Sequence, residues 1–226
     1  MVKFVLLDLD DTIFDFNVVE RQSILKTFEE IGLPATVENA VKYHEYNKAC
    51  WKAFERGEMA KEDVLVKRFD MLFKDVGFEY DTAATRDVYE KYLGSCYHFI
   101  DGAVEMLESL YKRYDLYVVT NGVAKVQYNR LKISGVEGYF KGVFISEEIG
   151  YPKPYKQFFD IALNKIDNFD KEKAVIVGDS LTSDMKGGVE YGLKTCWFNR
   201  FKEQTELPVN ATATTLQEIP DILEKM

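Results

Sequence analysis

The amino-acid sequence predicts an α/β fold, in which a Rossmann-like parallel sheet core is flanked by helices and carries an inserted all-helical domain. Two observations predict the sheet: short apolar runs recur along the chain, and segments with helical periodicity separate them. A third predicts the insert, because residues 15–98 show helical periods and no convincing strand. The length of 226 residues suits one full domain with a smaller inserted unit.

The predicted strands are short runs rich in β-branched or aromatic residues. The first, Phe4 to Leu7, is uniformly apolar, which is typical of a strand buried on both faces of a parallel sheet. Further strands are predicted at residues 116–119, 143–145, 174–177 and 196–198. The helices between them include one capped by Asp101, one after Pro154 and a closing helix over residues 216–223.

The insert after the first strand is predicted to contain four helices. The first begins at a capping box of Asn17 and Glu20 and ends at Gly32. The others lie around residues 37–56, 61–76 and 82–94. The predicted domains are a Rossmann-like core of residues 1–14 and 99–226 and a helical domain of residues 15–98.

Aromatic residues are dense in the insert, and most are predicted to form its packing core, because an aromatic stripe at helical spacing is usually a buried face. Phe14 and Phe16, at the hinge of the insert, are the candidate substrate neighbours. A lone histidine is more often a surface or packing residue than a ligand, so His44 and His98 are assigned no catalytic role.

Composition and charge exclude several classes of protein. The net charge of -9 repels duplex phosphates and anionic membrane surfaces, so neither a nucleic-acid polymer nor a membrane is a predicted partner. Three widely spaced cysteines without a CxxC pair argue against a disulfide framework and a thiolate zinc site. No apolar run approaches the ~18 residues that a membrane-spanning helix needs, so no such helix is predicted. The expected location is a reducing cytoplasm, and the oligomeric state stays open.

Polar residues follow the predicted strands, where ligands bind in open α/β sheets. The sequence Asp8-Leu9-Asp10-Asp11-Thr12 follows the first strand, Thr120-Asn121-Gly122 the second, and Gly178-Asp179 with Asp184 the fourth; Lys153 lies on a further loop. Two carboxylates ~4 Å apart repel by ~4 kcal/mol at an effective dielectric near 20, so converging loops would need a cation. Mg²⁺ is a hard ion that takes oxygen ligands, and it is the predicted cofactor.

Each motif alone is more often structural than functional, because an aspartate after a strand commonly caps a turn. Four of them in order at strand ends are harder to explain by chance. Together they resemble the four-motif signature of the haloacid dehalogenase superfamily. The resemblance covers nearly the whole chain, and it implies a Rossmann-like core with a helical cap inserted after the first motif.

The resemblance also implies roles for the motif residues. Asp8 would be the nucleophile that forms an aspartyl-phosphate, and Asp10 the acid that protonates the leaving oxygen and then activates water. Lys153 would neutralise Asp8 and the phosphoryl group. The residues implied to bind substrate phosphate are Thr120, Asn121, Gly122 and Lys153.

The implied magnesium site draws on four aspartates. Asp8 and Asp179 would bind the metal through their carboxylates and Asp10 through its main-chain carbonyl. Asp184 would bind either directly or through a metal-bound water. Asp10 argues against a dehalogenase, because the dehalogenases of the superfamily lack an acid two residues after the nucleophile.

Within the superfamily the chain resembles the pyrimidine 5′-nucleotidase-like hydrolases, whose fourth motif runs Gly-Asp-Ser-x-x-x-Asp as residues 178–184 do here. This implies a Mg²⁺-dependent phosphatase of small phosphate monoesters that acts as a nucleoside monophosphate 5′-nucleotidase. A phosphoglycolate or sugar-phosphate phosphatase is the alternative within the superfamily. A receiver-like phospho-aspartate signalling domain and a catalytically inactive binding module are alternatives of other classes.

Overall fold

The structure, a computed structural model, describes every residue from Met1 to Met226. Its internal contacts divide the chain into two compact units. The first consists of residues 1–15 and 98–226, and the second of residues 16–97. No helix in either unit combines the length and the hydrophobicity that a membrane span requires.

The first unit is built on a six-stranded parallel sheet. Its strands are β1 (Phe4–Leu7), β2 (Asp115–Thr120), β3 (Gly142–Ile145), β4 (Ala174–Gly178), β5 (Lys194–Phe198) and β6 (Ala211–Ala213). Their order is β3-β2-β1-β4-β5-β6, and every neighbouring pair is parallel. The predicted α/β fold class is confirmed. β6 is absent from the sequence prediction, because its three residues form no apolar run.

Ten α-helices follow one another along the chain. They are α1 (Phe16–Ile31), α2 (Val37–Glu55), α3 (Lys61–Val76), α4 (Thr82–Leu93), α5 (Ala103–Tyr111), α6 (Ala124–Ser134), α7 (Ser146–Ile149), α8 (Lys156–Leu163), α9 (Lys186–Tyr191) and α10 (Ile219–Glu224). The first four form the second unit, and the other six belong to the first unit. Helical periodicity therefore predicts the four helices of the insert to within a few residues.

Both faces of the sheet are buried in apolar clusters, because successive side chains of a strand point to opposite faces. Val5 and Leu7 of β1 belong to the cluster that includes α5, whereas Phe4 and Leu6 belong to the cluster that includes α8. Burial of each such side chain contributes about 1.5–3 kcal/mol. This packing holds the central strands in place and thereby fixes the starting points of the loops at their carboxyl ends.

The start of α5 differs from the sequence prediction. Gly102, not Asp101, is the residue that precedes the helix, and no side chain caps the helix there. Gly102 has a φ of 82°, in the left-handed region that glycine adopts without steric cost. The prediction that Asp101 caps the helix is therefore wrong, because a glycine turn takes the place of the cap.

The second unit is a bundle of four helices around an aromatic core. Tyr43, Phe69 and Tyr89 are fully buried, and their ring centroids lie 5.2–5.8 Å apart. Aromatic pairs at these separations stabilise a core beyond their burial alone. The prediction that the aromatic residues of the insert form a packing core is confirmed for this cluster.

A buried polar network crosses the same bundle. α1 already begins one residue before Asn17, so the predicted capping box of Asn17 and Glu20 is wrong. The Glu20 carboxylate is buried instead, where it accepts a hydrogen bond from Asn47 Nδ2 at 2.6 Å and lies 2.5 Å from His44 Nδ1. Arg68, also buried, donates to Asn47 Oδ1 at 2.8 Å. Buried charges of this kind need partners, which the network supplies.

Candidate active site

Two acidic loops leave the sheet side by side at the carboxyl ends of its central strands. β1 and β4 are parallel neighbours, with Leu7 paired to Val177. Asp8 directly follows β1, and its N–H donates to the Val177 carbonyl at 3.0 Å. Asp179 directly follows β4. The carboxyl ends of parallel strands share one edge of a sheet, so the register itself brings the two aspartates together.

Asp184 completes a cluster of three carboxyl groups. After β4 the chain makes a π-helical turn, Leu181–Met185, which contains Asp184. Carboxylate oxygens of Asp8, Asp179 and Asp184 all lie within 4.8 Å of one another. The Ser180 N–H donates to Asp184 Oδ2 at 3.2 Å and helps to orient that carboxylate. Asp8 and Asp184 are buried.

Burial and mutual repulsion perturb this carboxylate cluster. Burial raises the pKa of Asp8 from 3.8 to about 8, with Lys153 opposing the rise and Asp184 adding to it. Burial, together with the charges of Asp8 and Asp184, holds the pKa of Asp179 well above its usual range. Both pKa shifts have the same physical cause, which is that several negatively charged groups lie close together in a largely buried site. A cation bound among the three groups would relieve the repulsion.

Lys153 is the cation that the chain itself places at the cluster. Its ammonium is buried and donates to Asp8 Oδ1 at 2.7 Å, to Asp184 Oδ1 at 2.6 Å and to the Val119 carbonyl at 2.7 Å. Burial by itself would lower the pKa of Lys153, but the carboxylates of Asp184 and Asp8 outweigh it and raise that pKa above its usual range. Lys153 is therefore a charged donor that joins two of the three acids.

The side-chain amide of Asn121 holds the Lys153 backbone. Its Nδ2 donates to the Lys153 carbonyl and its Oδ1 accepts from the Lys153 N–H, each at 2.9 Å. The two bonds tie the loop after β2 to the loop that carries the lysine. Both polar groups of the amide thus have partners within the protein, so the side chain of Asn121 serves to position Lys153.

The charges of the cluster match a divalent cation. Three carboxylates and one ammonium leave a net charge of two negative units when the acids are ionised. All the clustered ligand atoms are carboxylate oxygens, the donors that hard ions such as Mg²⁺ prefer. The residues present therefore fit magnesium in both donor type and charge.

Hydrogen bonds of the Thr120 hydroxyl and the Gln127 side-chain amide link Thr120 to Gly122 and to Asp10. Thr120 Oγ1 accepts from the Gly122 N–H at 3.1 Å and from the Gln127 side-chain amide at 3.2 Å. The Asp10 carboxylate is not one of the three clustered groups. It accepts instead from Gln127 Nε2 at 2.6 Å and from Arg130 Nη1 at 2.5 Å. Gln127 and Arg130 are site residues that the sequence reasoning missed.

This geometry agrees with the result of comparison with known families. The model of one family, described as haloacid dehalogenase-like hydrolase, matches residues 5–198. The chain belongs to this family. The predicted superfamily is thus confirmed, and so is the prediction that the protein is a hydrolase.

Proteins similar to this hydrolase include a nucleotidase and a phosphatase. It is 41% identical to the HAD-hydrolase YfnB of Bacillus subtilis over 194 residues, 86% of this chain and 83% of YfnB. A crystal structure of YfnB bound to magnesium superposes with a TM-score of 0.94 and 38% identity, covering 98% of both chains. Pyrimidine 5′-nucleotidase PynA of Streptococcus pneumoniae is 35% identical over 226 residues, 99% of this chain and 95% of PynA. Glyceraldehyde 3-phosphate phosphatase of Pyrococcus abyssi is 29% identical, over 88% and 82% of the two chains.

A second arginine that the sequence reasoning missed forms ion pairs with two aspartates of the segment after β1. Arg200, after β5, donates from Nη2 to Asp11 Oδ1 at 2.5 Å and from Nη1 to Asp15 Oδ2 at 3.0 Å. Asp11 has a φ of 59°, a left-handed conformation that short polar residues tolerate better than most. The paired arginine thus stabilises a tight turn between the first motif and the hinge.

Phe14 has a structural position in the hydrolase. It is fully buried, its ring stacks on Phe99 with centroids 5.5 Å apart, and the Arg130 guanidinium lies 4.6 Å from its ring centroid. The expectation that Phe14 neighbours the substrate is therefore wrong, because its side chain is fully buried in the apolar core. Phe16 is partly exposed at the start of α1 and remains a candidate.

Proposed function

We propose that this hydrolase is a magnesium-dependent phosphatase of small phosphate monoesters that works through an aspartyl-phosphate on Asp8. The observation that carries the proposal is the cluster of three carboxylates around one buried lysine at the edge of a parallel sheet. Asp8, Asp179 and Asp184 would hold Mg²⁺ through carboxylate oxygens, and Asp10 through its main-chain carbonyl. When bound, magnesium would offset the negative charge of the phosphoryl oxygens and the carboxylates.

The first chemical step would be attack of an Asp8 oxygen on phosphorus. The bond between phosphorus and the ester oxygen breaks, and Asp10 gives its proton to the departing oxygen, so an alcohol leaves. Lys153 would donate to the transferring phosphoryl group and Asp8. Thr120, whose oxygen already accepts two hydrogen bonds, has its hydroxyl hydrogen left to donate to a phosphoryl oxygen. The Gly122 backbone lies in the same loop.

The second step would release phosphate. Asp10, now a carboxylate, accepts a proton from water as the water oxygen attacks phosphorus. The bond between phosphorus and the Asp8 oxygen breaks, so inorganic phosphate leaves and Asp8 is again a carboxylate. Asp10 is reprotonated in the same event and is ready for the next ester. One residue thus acts as acid and then as base.

For the substrate we propose a pyrimidine nucleoside 5′-monophosphate. The support is the similarity to PynA over nearly the full length of both chains, at 35% identity. A triose phosphate is the second candidate, supported by the similarity to glyceraldehyde 3-phosphate phosphatase at 29% identity. We also propose that the helical unit, residues 16–97, serves as the cap that selects among these esters.

A phosphatase screen tests the proposed substrate. Purified protein is assayed with magnesium on pyrimidine and purine nucleoside monophosphates, glyceraldehyde 3-phosphate, hexose phosphates and phosphoglycolate. We expect the highest kcat/KM for a pyrimidine nucleotide. Preference for a triose or hexose phosphate would replace the nucleotidase assignment, and hydrolysis of none of them would contradict the phosphatase itself. A chimaera in which the helical unit of a sugar phosphatase replaces residues 16–97 should shift the preference towards sugar phosphates if that unit is the cap.

Magnesium is expected to stabilise the folded protein more at high pH than at low pH. Burial raises the pKa of Asp8 to about 8, above its value of 3.8 in the unfolded chain. A carboxyl group with a raised folded pKa stabilises the fold fully below the unfolded pKa, and this contribution is lost as the pH rises through about 8. Magnesium replaces the lost proton as counter-charge. Thermal unfolding with magnesium or chelator, from about pH 5 to about pH 9, measures the difference. A magnesium effect independent of pH would contradict the expectation.

Gly178→Ala is expected to weaken magnesium binding. A Cβ at this position would lie 2.3 Å from Asp184 Oδ2 and 2.4 Å from its Cγ, so the carboxylate must move. Displacing one ligand should raise the magnesium concentration for half-maximal stabilisation by about tenfold or more. Gly138→Ala is the matched control, because a Cβ at that position meets nothing within 4 Å. Equal magnesium titrations for the two variants would contradict the expected role of Asp184.

A further inference from the structure

Asp10 is held by two buried polar residues of α6 that belong to none of the four motifs. Gln127 Nε2 donates to Asp10 Oδ2 at 2.6 Å, and Arg130 Nη1 donates to Asp10 Oδ1 at 2.5 Å. Each oxygen of the carboxyl group therefore has its own donor. Because the two donors come from one helix, they define the plane of the carboxyl group as well as its position.

Gln127 and Arg130 are also connected to each other and to the phosphate side of the site. They are three residues apart, so they project from the same face of α6. Arg130 Nη1 donates to Gln127 Oε1 at 3.2 Å, and Gln127 Nε2 also lies 3.2 Å from Thr120 Oγ1. The Gln127 amide thus bridges Asp10 and Thr120. A Cβ at Gly122 would lie 2.1 Å from Gln127 Nε2, so the loop after β2 is shaped around this amide.

Stability alone is a poor explanation for Arg130. Its side chain is fully buried, and its Nε and Nη2 atoms have no hydrogen-bond partner. Taking a charged group out of water is unfavourable, and an apolar residue of similar volume often gives a more stable core. The contacts that offset this cost are the Asp10 carboxylate, the Gln127 amide and the face of the Phe14 ring, 4.6 Å away. Two of these groups, the Asp10 carboxylate and the Phe14 ring, belong to the segment that follows β1.

We infer that Gln127 and Arg130 are positioning residues for the reaction, which orient the Asp10 carboxyl group towards the oxygen that leaves from phosphorus. The inference rests on the proposed function, in which Asp10 is the acid and then the base. Neither residue needs to touch the substrate. Their effect is to remove the rotational freedom of Asp10, so that the proton is delivered along one direction.

The experiment compares first-turnover rates for two leaving groups. Uridine 5′-monophosphate loses an alkoxide, which needs a proton, whereas 2,4-dinitrophenyl phosphate loses a stable phenolate, which does not. The variants are Gln127→Met, Arg130→Met and Arg130→Lys, with Asp10→Asn as the reference. We expect Gln127→Met and Arg130→Met to slow phosphoryl transfer from the nucleotide on the order of 10²-fold, and from the dinitrophenyl ester only a few-fold. KM should change little, and Arg130→Lys should recover part of the loss.

Arg68→Met is the matched control for loss of a buried arginine. Arg68 is also buried, also has an unpartnered Nε, and packs against Phe69 and Tyr89 in the core of the helical unit. It should lower the melting temperature without changing the ratio of the two rates. Thermal unfolding of every variant is measured beside the kinetics, and Gln127→Met, which replaces a neutral group, provides the test if Arg130→Met fails to fold.

The outcomes separate this inference from the function on which it rests. If Asp10→Asn is selective against the alkoxide leaving group and the Gln127 and Arg130 variants are not, positioning by α6 is overturned and the role of Asp10 stands. If Asp10→Asn itself shows no selectivity, or if the wild-type protein hydrolyses neither ester, the proposed role of Asp10 and the inference fall together.

Discussion

Asp8→Asn is expected to abolish magnesium-dependent hydrolysis of phosphate monoesters, with a loss on the order of 10⁴-fold or more in kcat. The amide is a poor nucleophile, and Asp10, the next carboxylate of the loop, lies outside the acidic cluster and is bound by Gln127 and Arg130. Steady-state assays on uridine 5′-monophosphate and on an aryl phosphate measure the loss. Residual turnover within tenfold of the wild-type rate would mean that another group attacks phosphorus.

The Asp8→Asn variant should remain folded, so its loss of activity can be attributed to lost chemistry and not to unfolding. The substitution removes one charge from a cluster that carries a net two negative units, and it keeps the shape of the side chain. Without magnesium at about pH 8 or above, its melting temperature should equal or exceed that of the wild type, because less repulsion remains. Asp160→Asn, on the exposed face of α8, is the matched control for activity.

Lys153→Met is expected to damage both stability and activity. The buried ammonium donates to Asp8 and Asp184, and its removal leaves two buried carboxyl groups without that partner. Breaking a buried ion pair from one side commonly costs about 3–5 kcal/mol. Loss of a donor to the transferring phosphoryl group should also lower kcat by about 10²–10³-fold. Chemical denaturation without magnesium and steady-state kinetics with it measure the two effects.

Magnesium should restore part of the stability that Lys153→Met loses, because a dication among the same oxygens supplies positive charge in place of the ammonium. Lys156→Met is the matched control, since Lys156 lies three residues further on and is paired with Asp160 at the surface. It should leave both stability and turnover nearly unchanged. A Lys153→Met protein as stable as this control would contradict the view that the lysine neutralises the acidic cluster.

The residues at strand ends could be found from the sequence because topology alone brings them together. Each apolar run of three or four residues predicts a strand, and in a parallel sheet the residues after each run lie at the same edge. That reasoning reaches Asp8 and Asp179 without any distance being known, whereas Lys153 lies beyond α7 and takes its predicted role from the resemblance to the superfamily signature. It misses β6, whose sequence Ala-Thr-Ala contains no large apolar residue.

The supporting residues could not be found in the same way, because their side chains look like ordinary helix surface. Gln127 and Arg130 are polar residues of a helix, and such residues usually face solvent. One signal was available: Val126 precedes Arg130 by four residues and Leu131 follows Gln127 by four, so both polar side chains fall on the apolar stripe of α6. Glu20 was misassigned to a capping box for the related reason that its buried partners come from another helix.

The identity of the residue that receives the phosphoryl group is the most direct test of the account. Protein mixed with radiolabelled phosphate ester and magnesium is quenched in acid during the first turnover, digested and mapped by mass spectrometry. Label should appear on Asp8 as an acyl phosphate and decay at the rate of turnover. Label on a different residue, phosphate release with no labelled protein, or a phospho-Asp8 that persists without turnover would contradict it.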